Sequence, residues 1–258
     1  MQFEKTVHNI VYWIKQYAEQ NNMKSLVVGI SGGIDSAVVS TLCAKTKLPV
    51  YAVTMPVKQI QSQHDLSMTH GEWLTDNFSN VTHKVIELNT VYNAFKFEMQ
   101  QDFHDQHAFA NSKSRLRMVT LYQIAGATKG IVVGTGNKVE DFGVGFYTKY
   151  GDGGVDISPI ADLYKSEVYK IAEYLNINKD IISAPPTDGL WEDGRTDKDQ
   201  LQGLSYDDLE KAMMLHEDIP TEHGHDSQEK RLLDTYLKIR KPNLHKMNPI
   251  PIYKNTSI

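Results

Sequence analysis

The chain has 258 residues, enough to bury a full core, and one α/β domain spanning 1–258 is the simplest organisation. Its 27 lysines and arginines against 32 aspartates and glutamates leave a net charge of −5, which excludes general adhesion to nucleic acid or acidic membranes. The lone cysteine, Cys43, excludes an intrachain disulfide, and no apolar run approaches membrane-spanning length. The opening MQFEKTVHNIVYWIKQY lacks a signal-peptide layout, so the expected compartment is the cytoplasm.

Phe3, Val7, Ile10, Val11, Ile14 and Tyr17 recur at helical spacing and predict a first helix with one face on a sheet. The apolar run 26–30, bounded by glycine, reads as a central strand of a parallel sheet. Ser31, Gly32 and Gly33 then turn the chain into a helix whose apolar face is Ala37, Val38, Val39, Leu42 and Cys43. Residues 49–55 form a second strand ended by Pro56, and a helix over 61–77 with a strand over 82–88 completes another βαβ unit. A polar helical stretch occupies 89–110, with Phe95, Phe97, Met99 and Phe103 available for packing.

A helix over 112–129 leads to a strand at 130–133 that closes at Gly134 and Thr135. Such alternation predicts a doubly wound, mainly parallel sheet with helices on both faces and ligands at the strand carboxyl ends. Residues 136–156 are glycine-rich, charged and aperiodic, as functional or disordered loops are. A helix carrying Val168, Ile171, Ala172 and Leu175 follows, then a polar stretch at 185–203 that reads as mobile. Helices at 206–216 and 227–240 precede a proline-rich tail.

The turn Gly29-Ile30-Ser31-Gly32-Gly33-Ile34-Asp35-Ser36 is the first chemical signal. A helix N-terminus behind a glycine turn suits a phosphate, yet the Walker lysine and the G-x-G-x-x-G spacing are both missing. Instead Asp35 stands in the first helical turn. A carboxylate there repels polyphosphate unless a divalent cation lies between them, which points to Mg²⁺; an Asp serving only the helix dipole is the alternative. Glu140, after the strand that ends at Thr135, could supply a second carboxylate to such a metal. Arg115 aligns with Met118, Val119, Tyr122 and Ala125 and calls for an anionic partner, either an internal acid or a ligand, whereas Arg117 points elsewhere. The segment 146–156 offers Lys149, Asp152 and Asp156 among three glycines. His64, His104, His107, His216, His223 and His225 lack the spacing of a zinc site.

The strand–SGGIDS–helix unit resembles the pyrophosphate loop of the ATP pyrophosphatases. Asn111-x-Lys113-x-Arg115-x-Arg117, Gly134-Thr135 with Glu140, YTKYGDGGVD, the run from Pro159 to Lys165, Pro185-Pro186-Thr187 and His245-Lys246 extend the likeness. Together they resemble the ammonia-dependent NAD⁺ synthetases over nearly the whole chain. The resemblance implies an adenine nucleotide alpha hydrolase-like fold. It also implies that Gly29, Ile30, Ser31, Gly32, Gly33, Ile34, Asp35, Ser36, Thr135, Lys165 and Thr187 contact ATP. Asp35 and Glu140 would bind Mg²⁺, with Lys165 joining them in catalysis, while Arg115, Lys149, Asp156, His245 and Lys246 would contact deamido-NAD⁺. The implied reaction adenylates the nicotinate carboxylate, releases pyrophosphate, and lets ammonia displace AMP. The resemblance implies a homodimer too, for which the first helix and the helix from Ser112 offer candidate faces. Other ATP pyrophosphatases, including GMP-synthetase ATPase subunits and tRNA-modifying ligases, are the rival readings, with a non-catalytic ATP sensor as a third. The acidic composition disfavours tRNA, and neither GMP synthesis nor sensing needs the 146–156 segment.

Overall fold

The computed structural model describes residues 3–191, 193, 195–217 and 226–255. His223 and His225 therefore lie outside the described residues.

Four parallel strands form the sheet in the order β3-β2-β1-β4. They are β1 (Leu26–Gly29), β2 (Val50–Thr54), β3 (Val81–Val85) and β4 (Ile131–Val132). β1 pairs with both β2 and β4, so Leu26 faces Val50 on one side and Ile131 on the other. Successive β1 residues alternate faces, which explains why the strand is apolar throughout. Leu26 and Val28 enter one core cluster, whereas Val27 enters another with Val53, Met118, Leu121 and Val132.

The first helix, α1 (Phe3–Gln20), buries Val7, Ile14 and Ala18. It lies on α2 (Ile34–Lys45) and α6 (Lys165–Tyr174), one layer outside the sheet it was expected to touch. The reason is α2, which is buried on nearly every side and fills the layer between them. Cys43 is 0% exposed within it, and burial pushes its thiol far up, so it is a core residue and no nucleophile.

On the opposite face of the sheet, α4 (Asn89–Met99) packs on α5 (Gln106–Thr128), which begins six residues earlier than the apolar pattern indicated because Asp105 caps it through Ala108 N–H at 2.6 Å. α3 (Gln61–Asn77) covers β2 and β3, and α7 (Lys179–Ser183) packs on α2 and α6. The aperiodic loop after β4 contains a π-helical turn, Lys138–Val144. A short α8 (Asp197–Gln200) lies inside the stretch expected to be mobile, and α9 (Tyr206–Glu217) follows. α10 (Ser227–Met247) runs seven residues past the expected end, straight through Pro242. His245 and Lys246 thus sit on a helix and not in a tail. Asn243, whose amide reaches Val144 O at 2.9 Å, and Arg240, which donates to Gly143 O, hold that last turn against the π turn.

The chain leaves β1 for β2 and β3 on one side and returns to β4 on the other. The loops after β1 and β4 therefore diverge, and the crevice between them is where open α/β sheets take ligands.

Candidate active site

The loop after β1 is closed by its own serines. Ser36 Oγ accepts from Ser31 N–H at 3.1 Å and donates to Gly33 O at 2.9 Å. Gly32 sits at φ +89°, and a Cβ there would meet Gln63 O at 2.5 Å, so both the conformation and the space require glycine. Gly33 is the N-cap of α2 and offers no side-chain cap, which leaves N–H groups of the first turn for a phosphate.

Asp35 and Glu140 arrive from the two sides of the crevice and meet at one cation. Lys165, the first residue of α6, is 3% exposed and donates to Asp35 Oδ2 at 2.5 Å and Glu140 Oε1 at 2.7 Å. The buried Asn137, which caps the π turn through Val139 and Glu140 N–H, also donates to Asp35 Oδ1 at 3.2 Å. Burial raises both carboxyls and the Lys165 charge opposes it. Asp35 ends above its ordinary range, and Glu140, helped by hydrogen bonds from Lys165, Tyr206 and Asn137, ends below. Burial works against the Lys165 ammonium, but the paired acids outweigh it and hold the group protonated.

Two hard oxygen donors that already share one positive charge fit Mg²⁺. Among the described residues no cluster of three His, Cys, Asp or Glu side chains converges. The remaining coordination positions would thus fall to polyphosphate oxygens and water. The π turn explains why Glu140 points this way, since wide turns re-aim side chains at functional sites.

A single cavity of about 640 Å³ takes in the whole phosphate loop, Thr135, Glu140, Lys165, Thr187, Arg115, Lys149, His245 and Lys246. Asp156 is the one expected site residue absent from its lining. Its carboxylate accepts from Val132 N–H at 2.7 Å and Tyr122 Oη at 3.0 Å, which ties the loop to β4 and α5. At the far end Lys149 Nζ donates to His245 O at 3.3 Å and Lys246 Nζ to Tyr147 O at 2.5 Å. Arg115 is exposed, and its Nε donates to Lys149 O at 3.2 Å. The stripe on which it was placed straddles the surface, for Val119 and Tyr122 are 67% and 40% exposed while Met118 is buried. The more enclosed guanidinium is that of Arg117, bound to Met55 O at 3.2 Å and Gln59 Oε1 at 3.3 Å in the cavity wall.

A match to the NAD synthase family model covers residues 6–249. The chain belongs to the NAD synthase family. The NH₃-dependent NAD⁺ synthetase of Archaeoglobus fulgidus is 38% identical over 221 residues, 84% of this chain and 85% of the relative. As a solved structure, the NMN synthetase of Francisella tularensis aligns with a TM-score of 0.86 at 29% identity over 99% of both chains. The NH₃-dependent NAD synthetase of Campylobacter jejuni gives 0.74 at 27% identity over 98% of this chain and all of its own.

This NAD synthase family member carries site residues that the sequence reading passed over. Asn137 was legible as a helix cap two and three residues before Val139 and Glu140. Tyr206 and Asp197 were not, because they reach Glu140 across 66 residues of chain or through one another. Asp197 is 4% exposed, and burial followed by the Glu140 charge pushes its carboxyl up to about 7.

Proposed function

We infer that this chain amidates deamido-NAD⁺ to NAD⁺ with ammonia and ATP, releasing AMP and pyrophosphate as a C–N ligase. The observation that carries this reading is the joint opening of the phosphate loop, the acid pair on Lys165 and the cations Lys149 and Lys246 into one cavity. The backbone from Gly29 to Ser36, with Thr135 and Thr187, receives the ATP phosphates. Arg115, Lys149, His245 and Lys246 draw the acceptor's anionic groups to the other end, and Asp156 acts from the adjoining loop. With its ends held, the nicotinate carboxylate lies in line with the α-phosphorus, and alignment alone can contribute several kcal/mol.

Lys165 meets the negative charge that builds on the departing pyrophosphate. Asp35 and Glu140 would hold Mg²⁺, which when bound neutralises phosphate charge. Ammonia then attacks the adenylated carbonyl and AMP leaves. No protein nucleophile is needed, and Cys43, buried in α2, offers none for releasing ammonia from glutamine.

A second reading concerns the acceptor. The high structural similarity to the Francisella NMN synthetase favours nicotinic acid mononucleotide, which shares the reacting carboxylate with deamido-NAD⁺. The test supplies pure protein, ATP, Mg²⁺ and ammonium with deamido-NAD⁺, nicotinic acid mononucleotide or xanthosine monophosphate, and measures pyrophosphate. Highest kcat/KM with deamido-NAD⁺ supports the first reading. Preference for the mononucleotide supports the second, and release with xanthosine monophosphate alone overturns both. Glutamine without ammonium should give no turnover.

The reading extends to a cytoplasmic, single-domain homodimer. Tyr12 and Trp13 on α1, 59% and 45% exposed, and Val119 and Tyr122 on α5 are the apolar surfaces such a dimer would cover. Among the described residues no helix is long and apolar enough to cross a membrane.

A further inference from the structure

Tyr206 opens α9 and aims its hydroxyl at two acids at once. It lies 2.5 Å from Glu140 Oε1 and 2.7 Å from Asp197 Oδ2. Its ring also lies under the Lys165 ammonium, 4.9 Å from Nζ to the centroid. One hydroxyl has one hydrogen and cannot donate to two carboxylates, so one end of the bridge must bring a hydrogen of its own. The contact is no simple stabilising pair, because Asp197 Oδ1 is buried with no hydrogen-bond partner among the described residues.

The chain around Asp197 is held in place on both sides of it. Its N–H donates to Pro186 O at 3.1 Å, and Leu201, 1% exposed, packs in the cluster of Val139 and Leu209 beneath the π turn. The hydroxyl of Tyr206 is therefore the link between that seated chain and the acid that faces Asp35 across Lys165.

We propose that Tyr206 is a positioning residue: it sets the direction in which Glu140 presents its carboxylate, and Asp197 makes that direction depend on seating of the 195–203 chain. The inference rests on the reading that Asp35 and Glu140 hold a divalent cation. A hydrogen-bond partner behind a metal ligand commonly governs affinity tenfold or more.

The experiment uses the full chain and two readouts. Mn²⁺ is titrated in the presence of pyrophosphate, followed by its electron paramagnetic resonance signal, and trypsin cleavage after Arg195 and Lys198 is timed. Tyr206→Phe keeps the ring over Lys165 and removes the hydroxyl. It should weaken Mn²⁺ binding about tenfold and speed cleavage about tenfold, with Tm within about 2 °C of the parent. Asp197→Ala should do the same, whereas Asp197→Asn, which keeps a donor for the Tyr206 oxygen, should restore both readouts. Glu140→Gln still accepts from Tyr206, so it should lose Mn²⁺ but keep its resistance to trypsin.

Parent-like Mn²⁺ binding in Tyr206→Phe, with Glu140→Gln still deficient, overturns the proposal and leaves the metal reading standing. Parent-like Mn²⁺ binding in Glu140→Gln overturns the metal reading and the proposal together. Equal loss in Asp197→Asn and Asp197→Ala overturns the role given to Asp197.

Discussion

The two ends of the cavity are built on different principles. At the phosphate end, Asp35, Glu140 and Lys165 come from three core elements, and each charge is answered by another inside the chain. At the proposed acceptor end, Lys149 and Lys246 donate to backbone carbonyls and lie over the rings of Tyr150 and Tyr147. Lys246 feels the charges of Asp152 and Asp141 without a direct ion pair among the described residues, and Arg115 is exposed. Buried charges must be compensated before a ligand arrives, whereas half-exposed cations can leave water and wait. The proposed phosphate end is therefore preset, and the proposed acceptor end is the more open to change. Substitutions at the first end should damage chemistry or folding, and those at the second should alter recognition alone.

The largest effect should come from Asp35→Asn, which keeps the shape and removes one charge facing Lys165. Its kcat/KM should fall by about 10³, roughly 4 kcal/mol of transition-state stabilisation. A melt should show Tm within a few degrees of the parent, and a parallel collapse of Tm would mean that the acid is structural. Next comes Gly32→Ala, where strained φ and the clash with Gln63 O should cost about 2 to 3 kcal/mol. Urea unfolding measures that loss, and KM for ATP should rise with it.

The scaffold behind the phosphate loop should also be the acid-sensitive part. His70 on α3 bonds Ser40 Oγ on α2 at 2.9 Å and stacks on Trp73, and burial holds its imidazole down at about 4. A histidine with a lowered folded value favours the native state above its ordinary 6.5 and loses that advantage as pH falls toward 4. Stability should drop by about 2 kcal/mol between pH 7 and pH 5 through this group alone. His70→Gln should flatten the urea-derived stability curve by that amount, and an unchanged slope would break the assignment. The smallest effect belongs to Lys149→Ala. KM for the nicotinate nucleotide should rise about tenfold while KM for ATP stays within about twofold and Tm is unmoved. A larger effect on ATP would erase the distinction between the two ends.

Much of the phosphate end was legible locally. A buried strand, a turn that only glycine can make and an acid in the first helical turn lie within a dozen residues, and each constrains the next through backbone geometry. The parallel sense of the sheet followed from strand–helix alternation, because parallel neighbours need crossover helices, whereas the order β3-β2-β1-β4 came from the fold. Periodicity could not separate a helix on the sheet from one stacked on α2, since both bury a stripe. It also misled at α5: the stripe through Met118, Val119 and Tyr122 marks a face, but how deep that face lies is decided by what packs on it.

The amino-acid order alone determined the parallel α/β architecture and the glycine turn between β1 and α2, because both arise from contacts between near neighbours in the chain. Only the folded molecule decided that Lys165 closes Asp35 and Glu140 into one charge cluster, that Tyr206 and Asp197 stand behind it, and that α10 carries His245 and Lys246 to the cavity. Those relations join residues up to 130 positions apart, and no local rule of spacing reaches that far.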